Sequence, residues 1–300
     1  MRQDVPDVVT QFLKELSRRE VSDKTLSGYG SDLALFARFL KQTTGEAFSP
    51  TAVTPTDIRE YRGHLLNIEA RTPATINRRL AALRTFFLWA KAKGLATDSP
   101  TESVKGVSST PQAPHWLEKR EVDKLIRQVE RGRNKRDLAI ILTLRHTGIR
   151  VSELSALRLS DVEISERKGQ LVVRSGKGRK FRLVPLNVEA SRAIADYLQV
   201  RPTVPTDLLF VGQRGDGLKS RAVELLVAKY SQAAGLEATP HTLRHSFGKH
   251  MLDEGVDLGT VSTLMGHERL QTTLLYTTPG KRDLEQAVER LSHEPQEVVR

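Results

Sequence analysis

Hydrophobic positions recur three and four residues apart along most of the chain, and the breaks between these runs divide it into helices. Val8, Val9, Phe12, Leu13 and Leu16 lay one apolar stripe between Val5 and Arg19, the spacing of an amphipathic helix. A second stripe, Leu26, Tyr29, Leu33, Phe36 and Leu40, predicts a helix over about Thr25–Lys41, capped by Ser22 or Asp23 and stopped at Gly45. Two further starts share one signature. Thr54-Pro55 and Thr72-Pro73 each set a hydroxyl cap before a proline in the first turn. The first of these helices runs to about Ile68. The second carries Ile76, Leu80, Leu83, Phe86, Phe87 and Ala90 to a stop at Gly94.

No apolar period crosses Thr97–Trp116, which is rich in Ser, Thr, Pro and Gly and reads as a linker. The expected division is a helical domain at 1–96, a linker at 97–115 and a second domain at 116–300. In the second domain Glu118–Glu130 and Arg136–His146 read as helices, Gly148 ends the latter, and another starts at about Val151 in VSELSALRLSDV. The period then changes to two. GQLVVRS, GKG and RKFRLVPL predict a hairpin in which Leu171 and Val173 alternate with Val172 and Arg174, and Phe181, Leu183 and Val184 follow the turn. Asn187 caps a helix to Leu198, Asp207–Val211 is a short buried run, and Ala222–Ala234 is a helix ending at Gly235. The stretch Thr239–Thr278 follows, then a helix at Lys281–Leu291 with Leu284, Val288 and Leu291 on one face. No internal repeat is evident. The fold class is mainly α with a small antiparallel β-sheet, in two domains.

Composition adds a partner. Of 300 residues 38% are hydrophobic and 28% charged, enough for a folded core, and the net charge of +11 points to a polyanion, nucleic acid before an anionic membrane. Both halves share the basic excess, so two modules on one tether are suited to closing around a duplex. There is no cysteine, which removes disulfides, thiolate metal sites and a cysteine nucleophile together. The N-terminal MRQDVPDVVTQF has early acids and no long apolar core, unlike a signal peptide, and no window reaches the length needed to cross a bilayer. The expectation is a cytoplasmic protein that acts at the nucleoid, with no membrane.

Candidate chemistry sits at four local breaks: TGIRVSEL with Arg150 and Glu153, SGKGRKFR with Lys177, PHTLRHSF with His241 and Arg244, and LMGHERLQTTLLYT with His267 and Tyr276. Two arginines, a lysine and two histidines supply donors and little negative charge, a set suited to a phosphate whose oxygens gain charge in a transition state. No Asp and Glu cluster resembles a magnesium site, and no GxxxxGK[ST] loop is present. Phosphate chemistry would then proceed without metal or nucleotide, which with an available tyrosine implies a covalent intermediate. Tyrosine has a pKa of about 10, so ionising it at neutral pH costs roughly 4 kcal/mol, which nearby cations and a base must offset. On the fourth helix Arg78, Arg79 and Arg84 fall on the polar side, where they either grip phosphates or form a solvated face.

The segments TGIR-VSEL, GKG on a hairpin, HTLRHSF, LMGH and the following Tyr276 resemble the tyrosine recombinases of the phage integrase family, Xer-like members in particular. The N-terminal helices, with Thr25, Tyr29, Asp32, Leu33 and Phe36, are similar to that family's core-binding domain, so the resemblance covers the whole chain. It implies a core DNA-binding domain followed by a mixed α+β catalytic domain, and site-specific cutting and rejoining of DNA. By the same resemblance Arg150 and Arg244 clamp the scissile phosphate, Lys177 is the general acid for the 5′-hydroxyl, and His241 assists proton transfer. His267 hydrogen-bonds the phosphate, Tyr276 forms a 3′-phosphotyrosine, and Glu153 orients its neighbours. The partners implied are duplex DNA with a specific recombination site and three further subunits, identical or of a related recombinase, joined through Lys281–Leu291. The intermediate is a Holliday junction, and no cofactor is called for.

Several residues compete for these parts. Lys180 competes with Lys177, which is favoured because GKG frees it at the turn while Lys180 begins a strand. His245 lies four after His241, a zinc-compatible spacing, but no glutamate directly follows His241 and no third ligand is evident, so no metal is expected. Tyr29, Tyr61, Tyr197 and Tyr230 lie in helical stripes and read as packing residues. Two other functions compete with recombination: a topoisomerase-like enzyme that nicks and reseals one duplex, and a DNA-binding accessory protein without catalysis.

Overall fold

The structure is a computed structural model that describes residues 6–19, 21–108, 114–165, 169–174 and 181–266. The chain separates into two compact units, Met1–Pro111 and Gln112–Arg300.

Four helices make the first unit: α1 (Asp7–Leu16), α2 (Asp23–Thr44), α3 (Pro55–Asn67) and α4 (Pro73–Ala92). Their starts follow the cap chemistry. Ser22 accepts the Thr25 amide at 3.2 Å, which makes Ser22 rather than Asp23 the α2 cap. Thr54 and Asp57 form a reciprocal capping box at α3, and Thr72 accepts the Thr75 amide at α4. α2 continues to Thr44 because its stop is the left-handed Gly45 (φ 78°). Phe12, Leu33, Phe36, Ile58, Tyr61, Ile76, Leu83, Phe86 and Phe87 fill the space between the helices.

Two sequence expectations change in this unit. Residues 97–108, read as linker, are held against the helices: Val104 is buried in the core, and Asn77 exchanges two hydrogen bonds with Val107, at 2.9 and 2.8 Å. Arg62 donates to the Lys105 carbonyl at 2.8 Å. Two valines, Val104 and Val107, and a set of backbone groups carry this attachment, and neither registers as periodicity. The arginines of α4 also do not share one exposed face. Arg79 is buried, with its guanidinium 3.9 Å from Asp32 and 3.4 Å from Glu69. Arg78 is half exposed but forks onto the buried Asp32, and Arg84 ends 3.4 Å from the Val104 carbonyl.

The second unit contains α5 (Lys119–Arg131), α6 (Lys135–Thr147), α7 (Val151–Ala156), β1 (Val162–Ile164), β2 (Gly169–Arg174), β3 (Phe181–Leu186), α8 (Val188–Val200), α9 (Ser220–Ala233), α10 (Pro240–Asp253) and α11 (Leu258–Met265). α6 is the centre of its core. Ala139 through Leu142 and Leu144 are all buried, against α8, α10 and β3 among others. The sheet has the order β1-β2-β3 and is antiparallel throughout, with Leu171 opposite Val184 and Val173 opposite Arg182. β1 is three residues long, too short to show an alternation. The helix expected from Val151 is also short. Leu157 turns to extended backbone, and the Arg158 amide is taken by Asp161, which opens a 3-10 turn at Leu159–Asp161.

Tyr61, Tyr197 and Tyr230 are buried, the last two with hydroxyl bonds to the Val211 amide and the Asp137 carboxylate. Among the described residues no helix is long and apolar enough to cross a membrane. The hairpin turn with Lys177 and Lys180, the segment with His267 and Tyr276, and the expected helix Lys281–Leu291 lie outside the described residues.

Candidate phosphate-ester site

The last turn of α11 is the meeting point of the site. A helix end leaves its final carbonyls without intrahelical donors and concentrates negative charge there. Three of these carbonyls, consecutive in sequence, are each taken by an arginine from a different part of the chain. Arg182 Nε donates to Leu264 O at 3.0 Å, Arg244 Nη2 to Met265 O at 2.8 Å, and Arg150 Nη2 to Gly266 O at 2.9 Å.

Each arginine is delivered by local chemistry. Arg150 follows the α6 stop at Gly148, whose φ of 60° suits glycine and whose missing side chain leaves room for the Phe247 ring. It then caps α7, its amide donating to Glu153 Oε2 at 2.8 Å and its Nη1 to Oε1 at 3.0 Å. Arg244 lies one turn into α10, a helix opened by Thr239-Pro240 with a Thr239–Thr242 capping box. It is buried, and its Nη1 donates to the Gly148 carbonyl as Nη2 reaches Met265. One side chain therefore bridges the TGIR and LMGH segments.

Glu153 balances part of this charge. Burial alone would raise its pKa, but the hydrogen bonds from Arg182 and from the Arg150 amide, with both guanidinium charges, hold it below the ordinary carboxylate range. It is thus an anion at neutral pH. Arg150 retains donors beyond those used on Glu153 and Gly266, and its side chain is 44% exposed. It can therefore accept an oxyanion from solvent.

His241 stands in the first turn of α10. Partial burial of its ring, then the charges of Arg244 and Arg150, keep its pKa below the ordinary histidine range. It is neutral at pH 7 and able to accept a proton. Its ring packs edge-on against His245, with centroids 4.1 Å apart. Among the described residues no group of histidine, cysteine or carboxylate side chains forms a metal cluster. His250 sits further along α10 and receives Arg145 Nη2 at Nδ1, 2.9 Å away.

Of the residues singled out in the sequence, Arg150, Glu153, His241 and Arg244 are brought to one place, while Lys177, His267 and Tyr276 fall outside the described residues. The sequence reading missed Arg182. Its only signal was a basic residue alternating in phase with Val184 and Leu186, the inward face of β3.

Convergent guanidiniums beside a neutral histidine are chemistry suited to a phosphate ester. The chain matches the description "Phage integrase family" over residues 115–282 and "Phage integrase, N-terminal SAM-like domain" over residues 9–94. Tyrosine recombinase XerC of Roseiflexus castenholzii is 33% identical over 283 residues, spanning 90% of this chain and 88% of that protein. Tyrosine recombinase XerD of Ralstonia nicotianae is 36% identical over 269 residues, spanning 87% and 85%. A crystal structure of XerH site-specific recombinase bound to palindromic difH substrate, a post-cleavage complex, is 22% identical and has a TM-score of 0.77, covering 94% of this chain and 83% of that one. The chain belongs to the phage integrase family, the tyrosine recombinases.

Proposed function

We propose that this recombinase cuts and rejoins duplex DNA at a specific site through a covalent tyrosine intermediate. The observation that carries the reading is the convergence of Arg150 and Arg244 on adjacent carbonyls, Gly266 and Met265, immediately before His267. In it, the Tyr276 oxygen attacks the scissile phosphorus, and the phenolic proton passes to neutral His241. Arg150, Arg244 and His267 stabilise the charge gained by the phosphate oxygens. The bond to the 5′-oxygen breaks as Lys177 supplies its proton. The products are a 3′-phosphotyrosine and a free 5′-hydroxyl.

Attack of another strand's 5′-hydroxyl on the phosphotyrosine reverses these steps and rejoins the backbone. The phosphotyrosine link retains the energy of the broken bond, so the sequence balances without a nucleotide or a metal. One strand exchange on two paired duplexes gives a Holliday junction. The working assembly is a tetramer on DNA, of this chain alone or with a related recombinase, with Lys281–Leu291 as the contact between subunits. The place of action is the cytoplasm, at the nucleoid.

The test uses duplexes recovered from the protein's own denaturant-resistant adducts, nicked beside the cleavage point to trap the intermediate. Wild-type protein should accumulate adduct and Tyr276→Phe none. Undiminished adduct in Tyr276→Phe would sink the assignment, and relaxation of site-free plasmid without junction products would favour a topoisomerase instead.

A further inference from the structure

Arg182 has no part in the catalytic set read from the sequence, yet it ties three elements of the site together. Its side chain is only 16% exposed and lies on the inward face of β3, opposite Val173. Nη1 donates to Glu153 Oε1 at 3.0 Å and Nη2 to Oε2 at 2.8 Å, a two-pronged ion pair. Nε donates to Leu264 O at 3.0 Å. One planar group thereby links β3, the start of α7 and the end of α11.

We propose that Arg182 is a positioning residue for strand cleavage, sharing the Glu153 carboxylate with Arg150 and fixing the carbonyl row that Arg150 and Arg244 also touch. The first part follows from competition. Glu153 is largely buried and meets Arg150 through both its amide and its guanidinium. Left with Arg150 as sole partner, a buried carboxylate would hold that guanidinium tightly against an incoming phosphate. With Arg182 on both oxygens its attraction is divided, and Arg150 keeps the freedom to meet a second anion.

The second part follows from packing. Gly266 ends α11 at φ 65°, and a Cβ there would stand 2.6 Å from Arg182 Nη1 and 2.7 Å from Cζ. The guanidinium is therefore laid against the backbone of the turn, in space that only a glycine leaves. Lysine could supply the charge but not the fork or the third bond. β3 is also the strand paired with β2, so one residue couples this strand pair to the arginine clamp.

This inference rests on the cleavage reading, and its test separates the two. Full-length protein is mixed with the trapped duplex described above, and the single-turnover rate of adduct formation is measured beside duplex affinity. Arg182→Gln should slow adduct formation about 100-fold, the scale expected when a positioned group moves by an ångström, with affinity unchanged. Arg182→Lys should recover part of that rate. Glu153→Gln alone should also lose about 100-fold, and the double variant Glu153→Gln, Arg182→Gln should remain near that loss, because residues acting through one contact are not additive, whereas unrelated damage would multiply toward about 10,000-fold.

A thermal melt checks folding, and if Arg182→Gln does not fold the Arg182→Lys variant carries the comparison. Wild-type rates in either variant that folds, or a multiplied loss in the double variant, overturn the inference. No adduct from wild-type protein overturns the cleavage reading and this inference with it.

Discussion

Arg244 keeps a buried guanidinium charged by giving its terminal nitrogens to backbone carbonyls, Gly148 on one side and Met265 on the other. Carbonyls satisfy these donors without cancelling the charge. His250, on the same helix, shows the opposite use of burial. Its Nδ1 accepts from Arg145, so a proton there would set donor against donor. Burial first, then the charges of Arg145 and Lys119, push its pKa down to about 4, with Asp253 and a backbone bond opposing. In the unfolded chain histidine titrates near the ordinary value, so between pH 6.5 and about 4 the unfolded state binds more protons and stability falls as pH falls. The loss due to this one group is expected to reach about 3 kcal/mol. Chemical denaturation of wild type and His250→Gln across that range checks it, since the variant should show a flatter curve. Arg150, Glu153, His241 and Arg244 were legible because each sits in a short, distinctive segment at a break. Arg182 and Arg79 were not, because hydropathy assigns arginine outward. Only the distant carboxylates, Glu153 for one and Asp32 with Glu69 for the other, explain why these two are inside.

Helix ends were read well wherever a hydroxyl preceded a proline, since cap and proline act on the backbone within one turn. Elements whose cause lies elsewhere in the chain were read less well. β1 exists because β2 pairs with it, and α7 stops because Asp161 takes the Arg158 amide. The segment 97–108 is the clearest case, held by partners 20 to 43 residues away. Each hydrogen bond of the Asn77–Val107 pair contributes about 1 kcal/mol net, so Asn77→Ala should raise the open population of this segment about 30-fold. Limited proteolysis of the native protein measures that population when opening is fast relative to cleavage. Cutting between Val104 and Trp116 should accelerate in the variant while cutting elsewhere stays as in wild type. Equal rates would mean that the valines and the bonds from Arg62 and Arg84 retain the segment without Asn77.

At the scale of the molecule, the mainly helical fold with its small antiparallel sheet followed from periodicity, and the partner class from charge. A net charge of +11 carried on both halves should make duplex binding steeply dependent on salt. For about 6–10 phosphates neutralised, affinity is expected to fall by roughly 10³–10⁵ between about 50 and 200 mM salt, as counterions released on binding lose their entropic advantage. Titration of a labelled duplex at several salt concentrations gives the slope, and a flat line would remove phosphate neutralisation as the source of affinity. The row of carbonyls at the end of α11 also constrains how the chain can change length. Successive residues on a helix are rotated by about 100°, and Leu264, Met265 and Gly266 each face a different arginine. Adding or removing one residue within the eight of α11 would turn all three acceptors away together and release β3, α7 and α10 from a common anchor. The helix behaves as a key cut to one length. Substitutions along its exposed side leave the teeth aligned, whereas a single insertion or deletion withdraws the key from every ward at once.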